Sequence, residues 1–366
     1  MSLKIALLPG DGIGPEVTEE AVRILKNVAE HSGRAFSFSS HVIGGAAIDG
    51  EGTGLPERTL EAALNADAVL LGAVGHPKFD GRLPSERPEA ALLALRQALG
   101  GFANLRPAIY YAPLAKRTPF QPERVRGANL LIVRELLGGL YFGEPRGFEA
   151  SGNTAFNTLI YSRHEIERVA KVACDRARER RKKVASIDKA NVLETSRLWR
   201  AVVSDDAKAY PDVELEHVYV DTAAMRLATA PASFDVMLCD NLFGDILSDQ
   251  AASISGSLGV LPSATIGGKV DLYEPVHGSA PDIAGKGLAN PIGAIASAAM
   301  LLRFSANMDK EAAEIDHAIE EALASGARTK DLAGPGDRVL STRDMGQAIE
   351  EALHEVRDRK HSYHGV

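Results

Sequence analysis

Short strand-like runs alternate with helix-length amphipathic segments through the first third of the chain, and this rhythm restricts the fold more than any other feature. Residues 5–8, 36–42 and 68–72 have the length and composition of strands, and the last is apolar throughout. Segments 15–29, 56–66 and 89–99 carry helical periodicity, the first with Pro15 in its opening turn. Strand–helix–strand repetition predicts an α/β protein with a largely parallel sheet and helices packed on it. A chain of 366 residues has room for two lobes and a sizeable core.

Between residues 102 and 152 the texture changes to strands joined by Pro and Gly turns, including Leu130-Ile-Val-Arg134 and a glycine-flanked, hairpin-like stretch holding Tyr141. Helix 163–181, strand 184–188, helix 193–209, strand 213–220 and helix 222–228 are expected next. A Gly/Pro-rich loop at 276–291 and helices 292–304, 309–325 and 342–358 follow, with a frayed tail over 359–366. The net charge of −8, without a basic stripe, argues against a nucleic-acid partner. The apolar N-terminal run is too short for a signal segment, and no stretch approaches membrane-spanning length. Cys174 and Cys239 lie in apolar-periodic segments and read as buried thiols of a cytoplasmic protein.

Chemistry concentrates in Asp240-Asn-Leu-Phe-Gly-Asp-Ile-Leu-Ser-Asp249. The four-residue step from Asp245 to Asp249 puts both carboxylates on one helix face, where they repel unless a cation lies between them. Magnesium and manganese favour such oxygen ligands. A solvated acidic face is the alternative. The preceding run Val236-Met-Leu-Cys239 reads as a buried strand whose C-terminal end, where α/β proteins place ligands, delivers the pair.

Gly10-Asp-Gly12-Ile-Gly14 follows a strand and opens a helix, but its spacing is not that of a dinucleotide fingerprint, and strand 36–42 ends without an acidic residue. Arg96, Arg106 and Arg134 stand near element ends. Arginine suits carboxylate ligands, and pairing of Arg134 with Glu135 or Arg96 with Glu89 is the structural alternative. Lys189 and Asp221 each follow or end a strand, and Tyr141 offers a phenolic proton; core or surface roles are equally open for the three. The loop from Glu274 to Gly285 mixes glycines, hydroxyl, imidazole and acid, and fits either a nucleotide or plain solvent.

Leu8-Pro-Gly-Asp-Gly-Ile-Gly-Pro-Glu16, Asn104-Leu-Arg-Pro107, Gly139-Leu-Tyr-Phe-Gly-Glu-Pro-Arg-Gly147, Asp188-Lys-Ala-Asn191, Asn241 to Asp249 and Glu274 to Gly285 occur in this order. Together they closely resemble the β-decarboxylating dehydrogenases of isopropylmalate, isocitrate, homoisocitrate and tartrate, from about Lys4 to the last helix. The resemblance implies an isopropylmalate dehydrogenase-like α/β fold: a mixed, mainly parallel sheet flanked by helices, in two domains, and not a true Rossmann fold. Residues 1–101 with 256–366 would form the large, nucleotide-binding domain, and 102–255 a smaller one carrying the dimer interface and the metal and catalytic residues. It further implies a substrate clamp of Arg96, Arg106 and Arg134, metal ligands Asp221, Asp245 and Asp249, and an acid/base pair Tyr141 and Lys189. Lys189 and Asp221, the latter also near substrate, would enter from the second subunit of a homodimer with shared active sites.

Nucleotide contacts carried over are Glu274, His277, Gly278, Ser279, Ala280, Asp282 and Asn290. Asp282 followed by Ile283 favours NAD, because a carboxylate repels a 2′-phosphate. Glu89, Leu92 and Leu93 stand where isocitrate enzymes meet a third carboxylate, and the leucines suit a branched alkyl group instead. The expected reaction is NAD-dependent oxidative decarboxylation of (2R,3S)-3-isopropylmalate in leucine biosynthesis, with Mg²⁺ or Mn²⁺. Other acids of the family (tartrate, malate, homoisocitrate) and a catalytically silent regulatory homologue are the alternatives. A phosphotransferase lacks its phosphate-binding loop.

Overall fold

The computed structural model describes the backbone of residues 2–363 and the side chains through residue 359. The first third forms β1 (Leu3–Gly10), α1 (Gly14–Ser32), β2 (Phe36–Ser40), α2 (Gly45–Glu51), α3 (Glu57–Leu64), β3 (Ala68–Ala73) and α4 (Pro88–Leu99). Next come β4 (Ala103–Ile109), α5 (Pro122–Val125), β5 (Asn129–Glu135) and the two-stranded ribbon β6 (Gly147–Phe148) and β7 (Ala155–Phe156). They are followed by α6 (Arg163–Arg178), β8 (Lys183–Asp188), α7 (Glu194–Asp206), β9 (Glu214–Tyr219), α8 (Val220–Thr229), β10 (Val236–Cys239) and α9 (Asn241–Ser255). The last third adds β11 (Pro262–Ile266), β12 (Asp271–Pro275), α10 (Ile292–Phe304), α11 (Asp309–Ala324) and α12 (Thr342–Tyr363).

The chain divides into two compact units. One comprises Met1–Gly101, Tyr111–Arg117 and Gly256–Val366; the other Phe102–Tyr110 and Thr118–Ser255. The segment Tyr111–Arg117 belongs to the first unit because Arg117 Nη1 donates to Ala333 O at 2.8 Å and Arg328 Nη2 to Pro113 O at 2.9 Å.

In the first unit the strand order is β2-β1-β3-β12-β11. All pairs are parallel except the β11–β12 hairpin. Every residue of β3 is buried, as expected of a parallel strand covered on both faces. Helix α10 is apolar around its whole circumference, and every residue from Ile292 to Leu302 is buried. In the second unit the order is β4-β5-β10-β8-β9, antiparallel only between β4 and β5. Both orders differ from the 3-2-1-4-5-6 arrangement of a dinucleotide-binding Rossmann sheet, so the fold is mixed and mainly parallel without being that one.

Several expectations need correction. Strand β9 ends at Tyr219, so Asp221 does not finish a strand; it lies in the first turn of α8, where the helix dipole favours an acidic residue. Tyr141 closes a 3₁₀ turn over Gly139–Tyr141 instead of a hairpin-like strand, because Gly139 turns the chain at φ 72°. Helix α12 runs on to Tyr363, so residues 359–363 are helical where fraying was expected, and residues 364–366 lie outside the described part. Helix α2 and the β11–β12 hairpin escaped notice: α2 is short and opens with Gly45, and the strands are only five residues each. Glu274 sits on β12 and is not part of the loop.

Candidate active site

The second unit assembles its polar cluster at the start of α9. Strand β10 is fully buried and ends at Cys239; Asp240 then caps the helix, its Oδ1 accepting from Phe243 N at 2.7 Å. Burial pushes the Asp240 carboxyl up to about 7. From this cap, a helical step of four places Asp245 and Asp249 on one face, with Ser248 beside them.

Two arginines meet this face from the antiparallel pair β4–β5, where Asn104 stands opposite Arg134. Arg134 is 3% exposed, so its charge must be satisfied inside the protein. Its Nη1 lies 2.5 Å from Asp245 Oδ1, and Asn241 Oδ1 accepts from its Nε and Nη2 at 3.0 and 2.8 Å. Arg106 donates through Nε to Asn104 Oδ1 and through Nη1 to Ser248 Oγ, both at 2.7 Å. The same Nη1 lies 3.5 Å from Asp245 and 3.8 Å from Asp249. Gly244 makes the close approach possible: a Cβ there would stand 2.6 Å from Arg134 Cγ. Glu135, the other partner considered for Arg134, pairs with Arg168 at 3.2 Å, as the strand's two-residue period requires.

Tyr141 Oη donates to Asp245 Oδ2 at 2.7 Å, and the Arg134 guanidinium lies 5.5 Å from the ring centroid. Burial, then the bond to Asp245, raises the phenol above its ordinary value, against a downward pull from the two arginines. Asp249 is likewise raised, first by partial desolvation although much of its side chain stays open to solvent, with Arg106 opposing and Asp245 reinforcing. The set of two carboxylates, two guanidiniums and one phenol is close to neutral, with a proton held on Tyr141.

Lys189 and Asp221 form a separate pair in the same unit. The Lys189 ammonium bonds the Asp221 carboxylate, which holds that acid below its usual range. Among the described residues no three His, Cys, Asp or Glu side chains come together as a metal-binding group, so Asp221 does not join Asp245 and Asp249 within the chain.

The first unit contributes α4 and the 276–291 loop. Glu89, Leu92, Leu93 and Arg96 follow a 3-4-7 spacing and share one face of α4. Leu92 packs partly on the core cluster of Leu8, Leu71 and Leu95, whereas Leu93 stays 36% exposed. Arg96 pairs with Glu274 at 2.5 Å, not with Glu89, and its buried Nε has no partner. Glu274 is therefore committed to Arg96 before any nucleotide is considered.

A cavity of about 430 Å³ is lined by Ile13, Ser257, Gly259, His277, Asp282, Ile283, Leu288, Ala289, Asn290, Lys330 and Asp331. His277 Nδ1 meets Gly278 O at 2.9 Å, and its buried Nε2 has no partner. Burial lowers the imidazole's pKa, so it is neutral near pH 7, with Nδ1–H donating to that carbonyl and Nε2 an open acceptor. Gly278, Ser279 and Ala280 do not line the cavity. Ser279 O instead accepts from Ile13 N at 2.8 Å, and Gly12, at φ 57°, lets the two backbones approach. Asp11, in that same turn, accepts from Gly45, Ala46 and Gly75 N at 2.8 Å each, so its carboxylate ties the first turn of α2 to the segment after β3 and is not offered to a ribose.

The sequence reading missed Asn104, Asn241 and Ser248 around the arginines, and Ile13, Ser257, Lys330 and Asp331 around the cavity. Asn104 was findable: it is two residues before Arg106 on a strand and so faces the same way. Asp331 accepts from Asn290 Nδ2 at 3.0 Å across a long sequence gap, and no local signal announces that.

The family model for isocitrate/isopropylmalate dehydrogenase matches residues 4–349. A 3-isopropylmalate dehydrogenase of Moorella thermoacetica is 54% identical over 354 residues, covering 96% of this chain and 99% of that one. One from Pseudomonas putida is 53% identical over 360 residues, covering 97% and 100%. The crystal structure of isocitrate dehydrogenase from Methylococcus capsulatus aligns at TM-score 0.86 and 37% identity, over 96% of this chain and 99% of that one. The chain belongs to the isocitrate/isopropylmalate dehydrogenase family. The two relatives named here that match it at full length both carry the isopropylmalate activity in their names.

Proposed function

We propose that this chain catalyses the NAD-dependent oxidative decarboxylation of (2R,3S)-3-isopropylmalate to 4-methyl-2-oxopentanoate and CO₂, in the cytoplasmic pathway to leucine. The observation that carries it is the cluster of Arg106, Arg134, Tyr141, Asp245 and Asp249. Its charges nearly cancel, so a divalent cation and a doubly charged acid can enter together without leaving an excess of either sign.

The donor set fits magnesium or manganese: hard carboxylate oxygens one helical turn apart, with Asp221 of a second copy as the third ligand. Such an ion would supply Lewis acidity, polarising the substrate hydroxyl and steadying the negative charge left when CO₂ departs. Arg106 and Arg134 grip substrate carboxylate through guanidinium forks held in place by Asn104, Ser248 and Asn241. The unpartnered Nε of Arg96 is a further carboxylate donor. Lys189 of the second copy, once its ammonium has released a proton to water, would accept the hydroxyl proton as a neutral amine, and NAD⁺ would take the hydride from C2. The C3–carboxylate bond then breaks, its electron pair remaining on the substrate as an enolate. Tyr141, whose raised pKa keeps it protonated, delivers a proton to C3.

The cavity fits an adenine nucleotide: an orphaned acceptor on His277 suits an amino group, and Asp282 suits ribose hydroxyls and opposes a 2′-phosphate. Leu93, with Leu92 behind it, favours the isopropyl substituent by on the order of 2 kcal/mol, or about thirtyfold. The test is kcat/KM with Mn²⁺ for isopropylmalate, isocitrate, homoisocitrate, malate and tartrate, each with NAD⁺ and NADP⁺. Isopropylmalate with NAD⁺ should lead. A polar acid in front would transfer the reading to another member of the family.

A further inference from the structure

Tyr219 ends β9 as a 37% exposed residue, an unusual place for a large aromatic side chain with no core to fill. It is the direct cross-strand partner of Asp188, the residue before Lys189. Two cations address its ring: the Arg200 guanidinium at 5.1 Å from the centroid and the Lys189 ammonium at 5.8 Å. Both distances are within the range over which a ring's quadrupole attracts a cation.

The surroundings bind one cation through paired hydrogen bonds and hold the other by fewer contacts, on a half-buried stem. Arg200 is bound through Nε and Nη2 to the fully buried Asp188 carboxylate, both contacts at 2.9 Å. Asp188 also accepts from Ala190 N at 2.9 Å, and Lys189 N donates to Ser196 Oγ at 3.0 Å, so the backbone on each side of Lys189 is anchored. Among the described residues the Lys189 ammonium meets the Tyr219 ring and bonds the Asp221 carboxylate. Asp221 is 63% exposed at its side chain and lies on the first turn of a different element, α8. When that carboxylate is drawn to another positive charge, the ring is the contact that remains.

We infer that Tyr219 is a positioning residue: its ring, seated against Arg200, holds the Lys189 ammonium in the place from which it serves the substrate hydroxyl. The catalytic consequence rests on the function proposed above; the ring contact does not. Tyr219→Phe keeps the ring and Tyr219→Leu removes it, with Tyr219→Met as a second ring-free variant should the leucine form fail to fold.

With isopropylmalate, NAD⁺ and Mn²⁺, Tyr219→Leu should lose about tenfold or more in kcat with KM changed less than about threefold, since displacement of a reacting group falls on turnover. Tyr219→Phe should recover kcat to within about threefold of the parent. Independently of turnover, reductive ¹³C-methylation reports on the ammonium by NMR. The Lys189 methyl resonance, assigned by its absence in Lys189→Arg, should be shifted upfield by the ring in the parent and in Tyr219→Phe, and sit with the exposed lysines in Tyr219→Leu. An unshifted resonance in the parent overturns the proposal, as does full kcat in both ring-free variants or an equal loss in the Phe and Leu forms. A parent protein that oxidises none of the acids while keeping the upfield resonance counts against the proposed activity and for the ring contact.

Discussion

Asp245 accepts Arg134 at 2.5 Å, Tyr141 at 2.7 Å and Arg106 at 3.5 Å, so one carboxylate gathers both guanidiniums and the phenol. The Tyr141 phenol is the group in that set with a proton to give. Burial and the neighbouring carboxylate keep it protonated at neutral pH, and its contact with Asp245 aims it at the cluster and not at solvent. Tyr141→Phe should therefore reduce kcat by about a hundredfold while altering KM only a few-fold, the signature of a lost proton donor. Steady-state kinetics on the purified variant checks this, and an unchanged kcat would remove Tyr141 from the proton path.

Helix α9 carries the acidic pair, and its first turn has an unusual electrostatic cost. Asp240 caps the helix from a position 7% exposed, with its carboxyl pushed up to about 7. A carboxyl with a raised folded pKa binds its proton more tightly in the native state. Stability is therefore lost as pH rises from the unfolded value near 4 toward 7, and is level above that. Asparagine at this position still caps the helix but does not ionise. Asp240→Asn should thus gain on the parent as pH rises, by on the order of 2 kcal/mol between pH 5 and pH 8. Urea unfolding at the two pH values measures it, and a gap independent of pH would contradict the assignment.

In the proposed chemistry Lys189 and Asp221 act in the site of a second copy. Within the chain they bind each other, and Asp221 does not meet the α9 aspartates. If a second copy supplies them, two inactive variants should complement: Lys189→Met mixed with Asp249→Asn restores one intact site in each mixed dimer. Random exchange makes half of the dimers mixed, so activity should return to about a quarter of the parent's. Asp249 is suited to this because its side chain is 65% exposed and its loss leaves no buried arginine unpaired. Failure to recover activity after subunit exchange, verified by mass, would place each site within one chain.

Most strands and helices were legible because each depends on local periodicity: β3 is a continuous apolar run, and α9 places its two aspartates on one face by a step of four. The residue types of the site were legible for the same reason, since carboxylates, guanidiniums and a phenol keep their chemistry wherever they fold. Partner choice was not. That Arg134 turns to Asp245 and Asn241 while Glu135 turns to Arg168 follows from strand register, and that Arg96 spends its charge on Glu274 follows from which strand adjoins α4. Asp221 changed element because the chain leaves β9 two residues before it. Sequence by itself determined what each group can do, since protonation and polarity are properties of a residue. Only the tertiary structure decided which groups do it together, because hydrogen bonds and ion pairs act over a few ångströms between residues that the chain holds far apart.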